Sequence, residues 1–345
     1  MLLGHYMGVA KMLVLFLQHH RLMKIKTDLQ NETFRYSNFG SFQPEKMMIE
    51  AKRFCSKVSV IIFASYFTIA VLCFVSTVIR LEVENDGETL KDKTCYDYLP
   101  YIYYIPFDET TKTKCIYASL LMSYNIVIFS GVIACHDALY FAFVYCLKTQ
   151  FLILGGAIRT IRGRVLQRLN LPSNYAVFND DHHPALEKEM YNELIFVNKH
   201  FKLLISVTNE IEKAFTYQTL AQTIVTLIMI ASSLFIMSNI PLNSIEFFTQ
   251  AEYCLCVFGS ANILYWSGTG IIVASDDISQ ALYETDWFSS SRRFKKAVLI
   301  IMSRNKTPLW LTIGRFVPLN LSVSATVCKA SYSYYAVFKR VEANA

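Results

Sequence analysis

Five long apolar segments dominate this chain of 345 residues, at 54–79, 115–147, 217–238, 247–274 and 311–338. Each exceeds the roughly 20 apolar residues that an α-helix needs to cross the hydrocarbon core of a bilayer. The composition agrees, since hydrophobic residues make up 53% of the chain and charged residues only 17%, against roughly 25% charged residues in ordinary soluble domains. The sequence therefore predicts an all-α, polytopic helical protein embedded in a lipid bilayer.

A sixth apolar stretch covers residues 1–17 and is interrupted by Lys11. It lacks the basic first region and the small-residue cleavage site of a secretory signal peptide. We expect it to be the second half of a membrane span whose first half is absent from the sequence.

Lys and Arg are distributed unevenly among the connecting segments. Segments 18–53, 148–216 and 275–310 hold seven, nine and six of them, whereas segments 80–114 and 239–246 hold five and none. Segment 80–114 also carries eight Asp or Glu residues. Because basic loops stay on the cytoplasmic side, we expect the first three segments to be cytoplasmic and the C-terminus to be extracellular.

This orientation limits the classes of function. Residue 1 would also be extracellular, so one further span upstream would give seven spans with a cytoplasmic N-terminus. G-protein-coupled receptors have the opposite orientation, and neither a D-R-Y triplet nor an N-P-x-x-Y motif occurs at the expected spans. The sequons at Asn31 and Asn305 fall in predicted cytoplasmic segments and that at Asn320 in the membrane, so we expect no glycan on any of them.

A polar stripe runs along the last apolar segment. Its members, spaced four, three, four and seven residues apart, are Ser322, Thr326, Lys329, Ser333 and Arg340. At 3.6 residues per turn they share one face of a helix, and Ala336 and Val337 fill the remaining gap. Such a face either lines an aqueous path or packs against neighbouring helices, where Ser and Thr are common. Lys329, near the middle of the segment, favours water.

The same segment carries the clearest family resemblance. The run Lys329-Ala330-Ser331-Tyr332-Ser333-Tyr334 resembles the stretch with which the final helix of insect odorant receptors commonly ends. Further matches to the family follow in order along the chain: Leu99-Pro100, Pro106-Phe107-Asp108, Asp137, Asn198-Lys199-His200, and residues 283–287 with 292–296. On this alignment residues 1–17 correspond to the second of seven spans, so the first span is missing.

The resemblance implies a ligand-gated, non-selective cation channel rather than an enzyme. It implies a heterotetramer with a shared co-receptor subunit, a small, volatile, apolar odorant as ligand, and a place in the plasma membrane of sensory-neuron dendrites. The last span would line the pore with Ser322, Thr326, Lys329, Ser333, Val337 and Arg340.

The resemblance places a hydrophobic gate at Val337, which lies on the face of the polar stripe. A ring of aliphatic side chains can close a pore by excluding water, although Val337 could instead pack between subunits. Lys329 and Arg340 fit a cation path poorly, because positive charges facing the lumen repel cations. The long stem of Lys329 could turn its ammonium sideways.

Odorants of the family bind in the outer halves of the second to sixth spans. Such ligands are held by apolar and aromatic contacts with a few polar groups. The candidate side chains, which share helix faces in these spans, are Phe67, Val71, Phe74, Val78, Tyr117, Leu121, Tyr124, Asn125, Tyr253 and Val257. Ordinary helix–helix packing is the alternative for each. The outer loop 98–107 would serve as a lid or as part of an aromatic interface belt.

We divide the chain into four parts. Residues 1–147 hold the ligand-pocket helices, 148–216 form a cytoplasmic helical extension, 217–274 hold the fifth and sixth spans, and 275–345 hold a cytoplasmic helix and the pore-lining span. The extension carries a helix-period apolar stripe that predicts either a cytoplasmic platform or an amphipathic helix on the membrane.

Three further side-chain features lead to expectations. Asp137 lies well inside a span, where an ionised carboxylate is usually paired, so we expect a structural ion pair rather than a role in conduction. Asp276 and Asp277 are expected to be solvated or to contact the basic cluster 292–296. Cys95 and Cys115 both fall on the extracellular side and could form a disulfide.

Other chemistry is not indicated. The sequence has no phosphate-binding loop, nucleophile elbow or metal-ligand cluster, and we expect neither a cofactor nor a metal. The net charge of +6 is explained by the cytoplasmic loops, without nucleic acid as a partner.

A gustatory-type channel is the alternative function, although its Thr-Tyr…Gln-Phe signature is missing. A transporter is less favoured because internal repeats are not evident. An apolar pocket encodes ligand shape weakly, so the odorant itself stays unnamed.

Overall fold

The computed structural model describes residues 2–84, 90, 94–99, 104–105, 107, 111–173, 175, 183–305 and 308–343. Within these ranges the fold consists of α-helices and one very short β-hairpin. The elements are α1 (Leu2–Leu17), α2 (His19–Leu29), α3 (Pro44–Glu84), α4 (Lys112–Arg159), α5 (Ile161–Arg168), α6 (Pro184–Ser238), α7 (Ile245–Glu284), α8 (Arg292–Arg304), β1 (Thr312–Ile313), β2 (Val317–Pro318) and α9 (Leu321–Ala343). Single 3₁₀ turns occur at Glu32–Phe34 and Cys95–Asp97.

Local sequence signals fix where several helices begin. The side chains of Ser244 and Ser291 accept hydrogen bonds from the backbone N–H groups of Phe247 and Phe294, at 3.2 and 3.3 Å. Pro184 occupies the first turn of α6, where its missing N–H is no loss. Serine commonly caps helix N-termini, since its hydroxyl accepts from an N–H group that has no partner within the helix.

Four helices, α3, α4, α6 and α7, are long and apolar enough to cross a membrane. They contain the predicted spans 54–79, 115–147, 217–238 and 247–274. Between 22% and 33% of each apolar window is buried within the chain. The remaining apolar surface suits lipid or other subunits, because backbone groups are already satisfied inside each helix. The protein is therefore a multi-pass helical membrane protein.

The fifth predicted span, 311–338, is wrong in its first ten residues. Strands β1 and β2 pair there, with Thr312 opposite Pro318 and Ile313 opposite Val317, and α9 begins only at Leu321. The turn requires positive φ angles at Gly314 (61°) and Arg315 (66°), which a helix cannot accommodate. The 23 residues of α9 still extend over about 35 Å at 1.5 Å per residue.

Four helices, α3, α4, α6 and α7, extend far beyond a bilayer. The longest, α6, has 55 residues and is therefore roughly 80 Å long, against about 30 Å of hydrocarbon core. The proposed divisions at 147/148, 216/217 and 274/275 consequently fall inside the continuous helices α4, α6 and α7. The main buried cluster lies where α2, α5 and α8 pack around the adjoining ends of α4, α6 and α7. The apolar stripe of α6, including Leu194, Val197, Leu204 and Ile211, is buried in this cluster.

Polar contacts also join the helices that form the main buried cluster. Arg164 and Arg168 both donate to Glu193, at 2.9 and 2.5 Å. The Tyr36 hydroxyl lies 3.0 Å from Nδ1 of His200, and burial of this imidazole lowers the pKa of His200 to about 4 because its charged form is desolvated.

Asp276 is exposed, as expected, but the predicted partner of Asp277 is wrong. Its two carboxylate oxygens accept hydrogen bonds from Arg159 at 2.6 and 2.8 Å, rather than from the 292–296 cluster. Arg159 also donates to Glu284 at 2.6 Å. The paired guanidinium lowers the pKa of the Asp277 carboxyl, so this contact joins α4 to α7 as a full ion pair.

A disulfide joins Cys95 to Cys115 and so ties the 3₁₀ turn to the start of α4. Leu81, Tyr98 and Met122 are buried around it. Of the proposed lid, only residues 98–99, 104–105 and 107 are described; the others, with Pro106 and Asp108 of the family motif, lie outside the described residues.

Candidate functional site

A cavity of about 120 Å³ lies between α1, α3, α4, α6 and α7. Apolar and aromatic side chains form most of its wall, with a few polar groups among them. The lining residues are Gly4, His5, Met7 and Lys11 of α1, Tyr66 and Ile69 of α3, Ile126, Phe129, Ser130 and Ile133 of α4, Gln222, Val225, Thr226 and Met229 of α6, and Tyr253, Val257 and Ser260 of α7. An apolar cavity of about 150 Å³ is known to bind benzene, so this one suits a ligand with a single small ring.

The cavity brings together two of the ten predicted odorant contacts, Tyr253 and Val257. The others lie outside its described wall: Phe67, Val71, Tyr117, Leu121 and Tyr124 are exposed, and Phe74, Val78 and Asn125 are half-buried. Helix α3 presents Tyr66 rather than Phe67 to the cavity. The prediction failed here because helical spacing shows which residues share a face but not which neighbouring helix that face contacts. Ligand contact by the other eight stays a prediction.

A buried ion pair lies at the cavity wall. The Lys11 ammonium is 2.6 Å from Oδ1 of Asp137, and only 2% of the Lys11 side chain is exposed. Nδ1 of His136 lies 3.4 Å from the same oxygen. Asp137 is therefore paired, and α1 is the helix that supplies its partner.

Residues 1–147 were predicted to hold the ligand-pocket helices, but no individual residue of α1 was predicted at this site, and Lys11 was not paired with Asp137. Lys11 was visible as a charge that interrupts an apolar stretch, and Asp137 as a charge within a span. Two opposite charges at membrane depth usually pair with each other, which is the signal that could have joined these two helices. No comparable signal marks Met7 or Phe129.

Helix α9 has two distinct faces. Ser324, Val327 and Ser331 are buried; the Ser324 hydroxyl donates to Oδ1 of Asn262 at 2.7 Å and the Ser331 hydroxyl to the Leu227 carbonyl at 3.1 Å. The opposite face is exposed in the single chain and carries all six predicted pore-lining residues, Ser322, Thr326, Lys329, Ser333, Val337 and Arg340. The polar stripe thus points away from the chain's own helices.

The far end of α9 is held by polar contacts. Lys339 donates to Oδ1 of Asn239 at 2.5 Å and to Glu342 at 3.1 Å, and Asn239 donates to Glu342 at 2.8 Å. The Val337 side chain nearby is 53% exposed. Among the described residues, neither Lys329 nor Arg340 forms an ion pair.

Taken together, the helices and the cavity define a multi-pass membrane protein that encloses a small, mostly apolar ligand-sized space. The chain belongs to the insect odorant receptor family, since the family model described as "7tm Odorant receptor" matches residues 1–332. The match confirms the family resemblance that was predicted from the sequence, most clearly from the run that starts with Lys329-Ala330-Ser331. It also favours an odorant receptor over a gustatory receptor or a transporter.

Curated relatives match parts of the chain. Odorant receptor 10 of Aedes albopictus is 26% identical over 149 residues, which is 43% of this chain and 40% of the relative. Odorant receptor Or1 of Anopheles gambiae is 20% identical over 60% of this chain and 51% of its own length. Odorant receptor 30a of Drosophila melanogaster is 27% identical over 26% of this chain and 24% of its own. The matches thus span about half the length of these relatives or less.

The fold is similar to that of a solved receptor. The insect olfactory receptor OR5 from Machilis hrabei superposes with a TM-score of 0.71 at 12% identity, covering 98% of this chain and 79% of that one. Its structure in complex with eugenol gives a TM-score of 0.67 at 14% identity, covering 98% and 82%. At such low identity the similarity establishes the fold alone.

Proposed function

We propose that this chain is an odorant-binding subunit of an odorant-gated, non-selective cation channel, and that it works as a heteromer with a shared co-receptor subunit. The observation that carries the proposal is the two-faced character of α9. One face of this helix packs against α6 and α7, while the face with Ser322, Thr326, Lys329, Ser333, Val337 and Arg340 has no covering element within the described chain. A membrane helix with a free polar face suits the wall of an aqueous pore.

Binding is proposed to occur in the cavity between α1, α3, α4, α6 and α7. Its aromatic and aliphatic wall fits a small volatile molecule, with Tyr253 and Val257 among the contacts. A relative of the same fold has been solved with eugenol, which supports a ligand of similar size. Because α6 and α7 contribute to the cavity and also pack against α9, ligand binding has a direct structural path to the pore helix.

The gate is proposed at Val337. This residue is exposed on the free face, close to the end of α9 that Lys339 and Asn239 hold in place. A ring of such side chains, one from each subunit, would close the path by excluding water. The proposed setting is the plasma membrane of a sensory neuron, with segments 18–53, 148–216 and 275–310 cytoplasmic and the C-terminus extracellular. No enzymatic activity is proposed.

The experiment is to co-express the chain with the family co-receptor and to record cation current while eugenol and other single-ring volatiles are applied. Val337→Ala is expected to raise the ligand-independent current several-fold, because a smaller side chain widens the dry constriction. Val327→Ala is the matched control, since Val327 lies on the packed face of the same helix.

Currents are compared at equal surface expression. An inward cation current for at least one volatile, with increased leak in Val337→Ala only, supports the proposal. If no volatile in the panel gives current, and Val337→Ala leaves the leak unchanged, the pore assignment is wrong.

A further inference from the structure

We propose that the cavity selects small apolar ligands that carry one hydrogen-bond acceptor, and that the Lys11 ammonium recognises this acceptor. The inference rests on the proposed function, because it names the ligand class for the same cavity. A ketone, an ester or an aromatic ether belongs to this class, whereas a pure hydrocarbon does not.

The first step concerns the donors of Lys11. A lysine ammonium has three N–H donors and no acceptor. Lys11 lines the cavity with 2% of its side chain exposed. Within the described part of the chain, Asp137 is its hydrogen-bond partner, through one oxygen at 2.6 Å. The Lys11 ammonium therefore has N–H donors that remain available to a ligand in the cavity.

The second step concerns the ion pair as a whole. Oδ2 of Asp137 and Nε2 of His136 are buried and have no hydrogen-bond partner among the described residues. A buried ion pair regains its desolvation cost only when additional hydrogen bonds satisfy its remaining donors and acceptors. A ligand acceptor would satisfy a remaining N–H donor of the ammonium, although Oδ2 of Asp137, itself an acceptor, would still need a donor.

The third step concerns what could supply that partner. The wall close to α1 is largely apolar, with Met7, Ile69, Phe129, Ile133 and Met229. These side chains have no oxygen to offer. The wall also holds oxygen-bearing groups, but among the described residues none of them hydrogen-bonds to Lys11; they are Tyr66, Ser130, Gln222, Thr226, Tyr253 and Ser260. A ligand oxygen can approach Lys11 while the ligand's ring and alkyl parts contact the apolar wall, which is the usual division of labour in small-molecule sites.

A purely structural role makes a different prediction. If the pair only held α1 against α4, its removal would lower stability but would leave the relative affinity for different ligands unchanged. Ligand preference is therefore the decisive quantity.

The experiment compares acetophenone with ethylbenzene, which has a methylene group in place of the carbonyl. Binding to the purified chain is measured as a dissociation constant from ligand-induced thermal stabilisation. Acetophenone is expected to bind about tenfold more tightly, since hydrogen bonds to charged groups are stronger than neutral ones. The double variant Lys11→Met/Asp137→Leu removes both charges together, so that neither is left buried alone, and it should bind the two probes equally.

Two further variants separate this inference from the proposed function. Lys57→Met removes an exposed lysine of α3 and should keep the preference. Val257→Trp fills the cavity and should weaken binding of both probes.

Equal affinity of the unaltered chain for the two probes, or a preference that persists in the double variant, overturns the role of Lys11 and leaves the cavity assignment intact if Val257→Trp still weakens both. If neither probe binds, or if Val257→Trp has no effect, the cavity assignment fails and the inference fails with it. The comparison on the unaltered chain needs no variant, so it can overturn the inference even if the double variant does not fold.

Discussion

At the scale of single residues, Gly268 shows how closely α7 approaches the link into α9. A Cβ at this position would overlap the carbonyl oxygen of Leu319 and lie 2.8 Å from its Cγ. Because a backbone carbonyl cannot swing aside as a side chain does, we expect Gly268→Ala to destabilise the chain by about 1–3 kcal/mol. The measurement is the thermal unfolding midpoint of the purified protein.

Gly259→Ala is the matched control, since it lies in the same helix and a Cβ there meets nothing within 4 Å. Alanine should be neutral at this position or stabilise it by up to about 1 kcal/mol through its higher helix propensity. Equal midpoints for the two variants would contradict the close approach of α7 to the segment that leads into α9.

The sequence predicts the character of single residues better than their neighbours. It identifies Asp137 as a buried charge that needs a partner, but Lys11 lies 126 positions away along the chain, and nothing local specifies that distance. The odorant contacts illustrate the same limit. Aromatic and aliphatic faces are evident on α3 and α4, but the rotation of each helix about its axis decides whether Tyr66 or Phe67 meets the cavity, and this rotation depends on all the packed helices together.

At the scale of elements, the contact of α5 with α6 depends on one buried carboxylate. Glu193 accepts from Arg164, whose side chain is 1% exposed, and from Arg168. We expect Glu193→Gln to cost about 3 kcal/mol, because it leaves the Arg164 charge buried without its counter-charge. Chemical or thermal unfolding of the purified chain gives the measurement.

Glu189→Gln provides the comparison, since the one ion-pair partner of Glu189 among the described residues is Arg168, which is half exposed, at 3.3 Å, and its further hydrogen bond comes from Asn192. A surface pair of this kind contributes about 0–1 kcal/mol. If the two variants lose the same stability, the buried network does not hold α5 against α6.

Elements were predictable where one physical cause acts alone. The need to satisfy backbone groups in hydrocarbon turns each long apolar run into a helix, and the four runs in α3, α4, α6 and α7 follow this rule. The start of α9 involves two competing causes. Residues 311–320 are apolar enough to continue a span, but Gly314 allows a tight turn and Pro318 removes a helical hydrogen bond, and the turn prevails.

At the scale of the whole molecule, the described part of the chain leaves extensive surfaces uncovered. Its four most apolar helices bury at most 33% of their apolar windows, while α9 exposes a face that mixes serine, lysine and valine. Lipid can cover the apolar surface but gains nothing from the polar stripe. The two kinds of surface suit two environments, which under the proposed function are a bilayer around the outside and a water-filled pore shared with other subunits.

The orientation of this molecule has one clear reporter among its natural sequons. Asn305 is unsuitable, because it is 4% exposed and its side chain donates to the Ser275 carbonyl and the Ser279 hydroxyl, at 3.3 and 2.9 Å. Asn31 is exposed in the link between α2 and α3, and within the described ranges its side chain accepts a single, local hydrogen bond, from the Thr33 N–H at 2.9 Å. If this segment faced the compartment where N-glycosylation takes place, Asn31 would therefore be accessible to the glycosylating enzyme.

We therefore predict that Asn31 carries no glycan when the chain is expressed in insect cells, because the basic segment 18–53 stays in the cytoplasm. Gly87→Thr completes a sequon at Asn85 in the acidic segment 80–114, and this variant should gain a glycan that an endoglycosidase removes, as seen by gel mobility. The disulfide between Cys95 and Cys115 supports an extracellular location for segment 80–114, since disulfides persist in oxidising compartments. Glycan on Asn31, with none on the Gly87→Thr variant, would invert the orientation and place the Val337 end of α9 in the cytoplasm, at the opposite mouth of the proposed pore.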